Sequence, residues 1–210
     1  MNRFGISTHL FHEHRLSREH LVHIAAHGFD AIELFATRAH FDYHDDRAAA
    51  ELAEWLADTG LELHSVHAPI VGAIKGGKWV DPFSNASRDE AIRKTALHET
   101  EAAIALAKHI PYRHLVVHLG TPATERVAAN DNQPELARRT VEELFEKAGR
   151  ERVRVALEVS GACAGAPHVS GTLERPAGLA RSSPVAQLAE HATVNRRVIG
   201  SSPIGGALSL

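Results

Sequence analysis

Residues 61–67, LELHSVH, read as a short strand that closes on His67. The same construction returns twice downstream. Residues 114–118 (HLVVH) close on His118, and residues 152–158 (RVRVALE) close on Glu158. Two imidazoles and a carboxylate are a common donor set for a hydrolytic or isomerising divalent metal. Donors at the ends of three successive strands ask for a fold that gathers strand ends, and that requirement guides the reading outward.

Upstream, residues 4–7 form a short apolar run, and Ser17 precedes a helical stretch, REHLVHIAAH, stopped by Gly28. AIELF (31–35) is a second strand, and DRAAAELAEWLAD (46–58) repeats Ala and Leu at helical spacing up to Gly60. After the strand at 61–67 comes a loop containing GAIKGGKWVDPFSN, either a mobile lid or an ordinary exposed loop. A long helix follows, opening on the capping box Ser87–Arg88–Asp89–Glu90 and running to about His109. The strand at 114–119 precedes a helix at 134–148 with Pro134 in its first turn and Gly149 after its end, and residues 152–159 are the fifth strand. Strand and helix therefore alternate, with Gly at three helix–strand junctions where a left-handed residue is favoured. Such alternation means parallel βαβ units. GISTH after the first strand is a poor phosphate cradle and carries no G-x-G-x-x-G, which disfavours a dinucleotide fold. Functional side chains on three strand ends favour a barrel. The expected fold is α/β: an incomplete (β/α)8 barrel of about five βα units over residues 1–159, then an irregular tail over 160–210.

Composition bounds the function. The 210 residues suit one ordinary domain, and 44% hydrophobic with 23% charged residues look globular. A net charge of -3 gives no case for electrostatic capture of nucleic acid or anionic lipid. A single cysteine, Cys163, excludes an intrachain disulfide and suits a reducing compartment. No run approaches the roughly 18 apolar residues of a membrane span, so a cytoplasmic protein is expected. The 16 histidines include many, such as His12, His14, His20, His23 and His27, scattered without ligand geometry.

FGISTHLF, GFDAIELF, LELHSVHAP, the segment ASRDEAIRKTALHETEAAIALAKHI followed by LVVHLG, and VALEV carry a resemblance. Over residues 3–159 the chain resembles the xylose isomerase-like superfamily, and within it the sugar phosphate isomerase/epimerase branch, related to endonuclease IV. The resemblance implies a divalent metal (Mn, Mg or Zn) at the strand ends and a sugar or sugar phosphate as substrate. It places His67, His118 and Glu158 at metal positions of the endonuclease-like arrangement. It also makes Glu158 both ligand and catalytic acid/base in the epimerase-like one. His9, after strand one, and Glu33, inside strand two, are candidates to bind substrate. A loop histidine such as His9 needs no special explanation, whereas a carboxylate inside AIELF needs a polar neighbour. Glu158 follows an apolar run and is costly to bury alone. The chemistry implied is proton transfer next to a carbonyl; the alternatives are phosphodiester hydrolysis at abasic DNA and a non-catalytic, defective fragment.

After Val159 the pattern changes to SGACAGAPHVSGTLERPAGLARSSP, without strand–helix period. Residues 182–207 can be read back as a tRNA gene. Val185–Leu188 permits GTA GCT CAG TTG, Thr193–Asn195 permits ACT GTT AAT, and Gly200–Pro203 permits GGT TCG AGT CCC. These match a D-arm, an asparagine anticodon loop and a TψC loop, in order. The expectation is a barrel gene cut or frameshifted near codon 160; the plainer alternative is an Ala-rich helical tail. Truncation would leave the strands at 4–7 and 152–159 as open sheet edges, so self-association is expected.

Overall fold

A computed structural model describes residues 3–76, 78–121, 132–158 and 170–172. Five parallel strands form its centre: β1 (Gly5–Ser7), β2 (Ala31–Phe35), β3 (Glu62–His67), β6 (His114–His118) and β7 (Arg154–Glu158). The first four are each followed by a helix, α1 (Arg18–Ala26), α2 (Asp46–Thr59), α3 (Glu90–Ala105) and α4 (Pro134–Arg150). The sheet order β1-β2-β3-β6-β7, parallel throughout, is that of an incomplete (β/α)8 barrel.

One face of each strand is apolar and sealed. Ile32, Leu34, Leu63, Val66, Leu115, Val117, Val155 and Leu157 are buried in one cluster with Leu21 of α1, Leu52 and Leu56 of α2, Ile104 of α3 and Leu144 of α4. The register places Ser7, Glu33, Ser65, His67, Val116, His118, Ala156 and Glu158 on the opposite face. That face is polar and half-buried, and it carries the chemistry. A β-bulge makes the division work in β3. Ile32 pairs with Leu63 but Glu33 pairs with Ser65, leaving His64 as the extra residue. Without it, Leu63 and Ser65 would share a face and Val66 would turn away from the helices.

The helix ends follow local chemistry, with two corrections. Gly28 (φ 81°) and Gly60 (φ 71°) take the left-handed conformation after α1 and α2, and Pro134 opens α4. The cap of α3 is Asp89, whose Oδ1 accepts from Ala91 N at 2.9 Å; Ser87 Oγ instead accepts from Asp89 N at 3.1 Å. The Ser87 capping box does not form, because Asp89 lies closer to the first free N–H groups. Gly149 does not follow α4 but lies inside its last turn, and the chain turns at Arg152 (φ 60°).

Two further expectations are corrected. The segment after β3 is not an open loop: β4 (Val71–Lys75) and β5 (Lys78–Pro82) form an antiparallel hairpin. In the tail, β8 (Ser170–Thr172) pairs antiparallel with Ala156–Glu158 of β7, so the edge of β7 is covered at its C-terminal end. A short segment needs no periodic pattern to add a strand when it meets unpaired backbone groups. Among the described residues β1 has only β2 as neighbour. The rest of 160–210, including the tRNA-like stretch and Cys163, lies outside the described residues.

Candidate metal centre

Because β3, β6 and β7 are adjacent in the sheet, their C-terminal ends stand side by side. His118 and Glu158 are direct register partners, and His67 sits beside Val116 on the next strand. The three side chains converge. His118 Nε2 lies 3.2 Å and His67 Nε2 3.6 Å from Glu158 Oε2, and the two ring centroids are 5.0 Å apart. All three donor atoms fall within 4.8 Å of one another. Ligands about 2.0–2.2 Å from a tetrahedral zinc stand roughly 3.2–3.6 Å apart, so the donor set fits a divalent cation with little adjustment. The imidazole side chains are 12% and 13% exposed and Glu158 is 36% exposed, leaving the carboxylate side open to an incoming molecule.

Hydrogen bonding prepares the donors. His67 Nδ1–H donates to the Ala68 carbonyl at 2.9 Å, which fixes the ring and directs Nε2 into the site. Hydrogen bonds from His118 and His67 hold the Glu158 carboxyl well below the usual carboxylate range, against the opposing effect of burial. It is therefore ionised, the form a metal needs. Burial disfavours charge on His67, but the Glu158 hydrogen bond, the Glu33 charge and the Ala68 carbonyl outweigh it and raise its pKa. This cluster brings one carboxylate and two imidazole Nε2 atoms to one point.

Glu33 and His9 are placed differently. Glu33 is on the same face one layer deeper, and its Oε2 accepts from Ser65 Oγ at 3.1 Å, which supplies the polar neighbour its position demands. His9 belongs to a 3-10 turn (Thr8–Phe11) and stays outside the trio. It stacks on His12 and meets the Phe35 ring edge-on at 4.4 Å, and Phe35 in turn lies 5.5 Å from His67. Burial and the neighbouring His12 and His67 lower its pKa.

Sequence reasoning missed the supports of the site. Phe35, Ile70 and Val71, with Ile74 and Trp79 of the hairpin, make an apolar wall beside His67. Behind it, Thr8 Oγ1 accepts the Phe35 N–H at 3.0 Å. His40, fully buried, donates from Nδ1 to the His14 carbonyl at 2.6 Å, so its Nε2 accepts the Thr8 hydroxyl proton at 3.1 Å. Asn85, between the hairpin and α3, donates from Nδ2 to the His118 carbonyl at 2.9 Å. Gly120 after β6 makes room for Asn132, whose side chain brackets Thr121 through two 2.8 Å hydrogen bonds; a Cβ there would overlap Asn132 Oδ1. The adjacent glycines 76 and 77 were a readable signal for the hairpin. The others join residues far apart in sequence and leave no local pattern.

The fold is an incomplete barrel with a possible metal site at its strand ends, and the comparisons place it further. A family profile described as xylose isomerase-like TIM barrel matches residues 21–175, and the chain belongs to that family. Among solved structures it is similar to a D-tagatose 3-epimerase-like protein (23% identity, TM-score 0.54, 75% of this chain and 52% of that one). It is also similar to D-psicose 3-epimerase determined in the presence of D-fructose (16%, 0.55, 73% and 51%). A third likeness is to the IOLI protein with a bound zinc atom (16%, 0.55, 76% and 52%). The chain thus spans about half the length of these structures. The sequence matches none of the curated proteins.

Proposed function

We propose that His67, His118 and Glu158 hold a divalent metal in a site descended from sugar isomerases and epimerases, whose reaction is proton transfer next to a carbonyl. The convergence of the three donor atoms carries this reading. Family membership and the sugar epimerases among similar structures support the substrate class. A bound cation would polarise the substrate carbonyl and adjacent hydroxyl. The two imidazoles would hold it through the Nε2 atoms that converge there. Glu158 would complete the set that holds it, and its carboxylate would exchange the proton on the neighbouring carbon. Glu33, with Ser65, lines the floor below, and the Phe35–Trp79 wall excludes water from one side.

Among the described residues the donors come from one side of the site, and misplacement of a substrate by about 1 Å costs on the order of 10²-fold in rate. Slow, metal-dependent activity is therefore expected. In D2O with Mn, Mg or Zn, NMR should show deuterium entering a ketose or its phosphate beside the carbonyl, at a rate at least about 100-fold below that of a complete epimerase. A chelator should abolish it. No exchange with any sugar would overturn the catalytic reading in favour of a non-catalytic fragment, and cleavage of abasic DNA would replace it with phosphodiester hydrolysis.

The edge of β1, unpaired among the described residues and close to exposed Phe4 and Leu10, supports self-association as part of the same proposal. Light scattering after size exclusion should find dimers or larger species at micromolar concentration. A stable monomer would count against it.

A further inference from the structure

We propose that His23 and His27, at the C-terminal end of α1, form a second cation site that takes a divalent late transition metal, copper(II) ahead of nickel(II) and zinc(II). The site is separate from the strand-end trio and does not depend on it. From the sequence these two count among histidines scattered without ligand geometry; the fold corrects that. They stand four residues apart, one helical turn, and His27 is the residue that caps α1. Their ring centroids are 4.4 Å apart with the planes tilted by 51°, and both residues are exposed. Two histidines at this spacing on one helical face can chelate a single metal ion.

His27 is held as a ligand would be. A backbone carbonyl only accepts, so the 2.8 Å contact between His27 Nδ1 and the His23 carbonyl puts a proton on Nδ1. That leaves Nε2 as the donor atom for a metal. The same carbonyl accepts the His27 backbone N–H at 3.3 Å, which ties ring and chain to the last turn. A metal-bound histidine almost always donates its other N–H in this way, as His67 does to the Ala68 carbonyl. Helix polarity adds to the case, because the free carbonyls at a helix C-terminus favour a cation there. Imidazole suits copper, nickel and zinc, and copper(II) binds most strongly of the three.

Neighbouring histidines lack this geometry. His20, one turn earlier, accepts the Ser17 N–H on Nδ1 at 3.1 Å and stacks on Phe11, so its ring is engaged at the start of the helix. His9 and His12 share the Nδ1–carbonyl contact, at 2.8 Å, but their rings lie within 11° of parallel and 4.6 Å apart. In-plane lone pairs in parallel planes do not meet at one point, whereas planes tilted by 51° intersect. Among the described residues no third histidine, cysteine or carboxylate joins His23 and His27, so water fills the remaining positions of the ion.

The test uses the full chain with copper(II), its affinity measured by competition with glycine and its ligands by electron paramagnetic resonance. A His67→Gln/His118→Gln background removes the imidazoles of the strand-end site. That background should still give a copper signal split by two nitrogens. Adding His23→Gln or His27→Gln should weaken this binding by about 10²-fold, the scale gained when a second contact becomes intramolecular, and leave one nitrogen in the signal. His14→Gln, which removes an exposed histidine outside any helix, should change nothing. Absence of the two-nitrogen signal overturns the proposal. So does a signal that survives loss of His23 or His27, and an equal loss in His14→Gln would mean that surface histidines bind singly. Should the background not fold, 15N NMR of histidine-labelled wild type with excess zinc decides. Zinc-induced shifts of the ring nitrogens of both His23 and His27 support the site, and unmoved signals refute it. The strand-end reading stands or falls separately, on the signals of His67 and His118.

Discussion

Replacing Glu158 with glutamine is expected to weaken zinc or cobalt binding by at least about 100-fold, since losing a mere outer partner of a ligand already costs 10–100-fold. The change is nearly isosteric but removes the one anionic donor, whose Oε2 lies within 3.6 Å of both Nε2 atoms. The side chain is only half-buried, so the fold should survive, which near-ultraviolet circular dichroism can verify. Glu33→Gln is the matched control. That carboxylate lies on the same face but is engaged by Ser65 at 3.1 Å, and calorimetric titration should find its affinity close to wild type. Equal behaviour of the two variants would mean that Glu158 is not a ligand.

Leu115→Ala should destabilise the protein by about 2–5 kcal/mol, the range for emptying a fully buried leucine site. Leu115 is fully buried on β6, the strand between β3 and β7, in the cluster that joins the sheet to the helices. Typical domains have about 5–15 kcal/mol to lose, so the variant should be close to unfolding at ordinary temperature. Urea denaturation followed by circular dichroism measures it. A loss below about 1 kcal/mol would show that the surrounding core can collapse into the gap. Metal affinity should fall with stability, because β6 delivers His118 from the same strand.

The strand–helix alternation and the three metal-capable side chains at strand ends were legible because both are local. Ala31–Phe35, Glu62–His67, His114–His118 and Arg154–Glu158 lie within a residue or two of the strands read from the chain, and Gly28 and Gly60 end their helices as a left-handed residue should. A donor at a strand's last position is visible in one dimension, and parallel strands carry such positions to a common end. Local reading failed where two answers were chemically equivalent. Ser87 and Asp89 can both cap a helix, and only the competition for Ala91 N–H separates them. It failed again at β8, where Ser170–Thr172 has no strand pattern and acquires one from the edge of β7.

By itself the sequence determined the order of strands and helices and which metal-capable side chains stand at the strand ends. These follow from periodicity and from the chemistry of single residues. Tertiary structure alone decided which face each strand presents and what supports the donors. The bulge at His64 rephases β3 so that Leu63 and Val66 meet the helices while Ser65 and His67 face the site. His40 reaches Thr8 across 32 residues, and Asn85 reaches the His118 carbonyl across 33. Such contacts have no period and no spacing rule; they arise because buried polar groups take whichever partners the folded chain brings near.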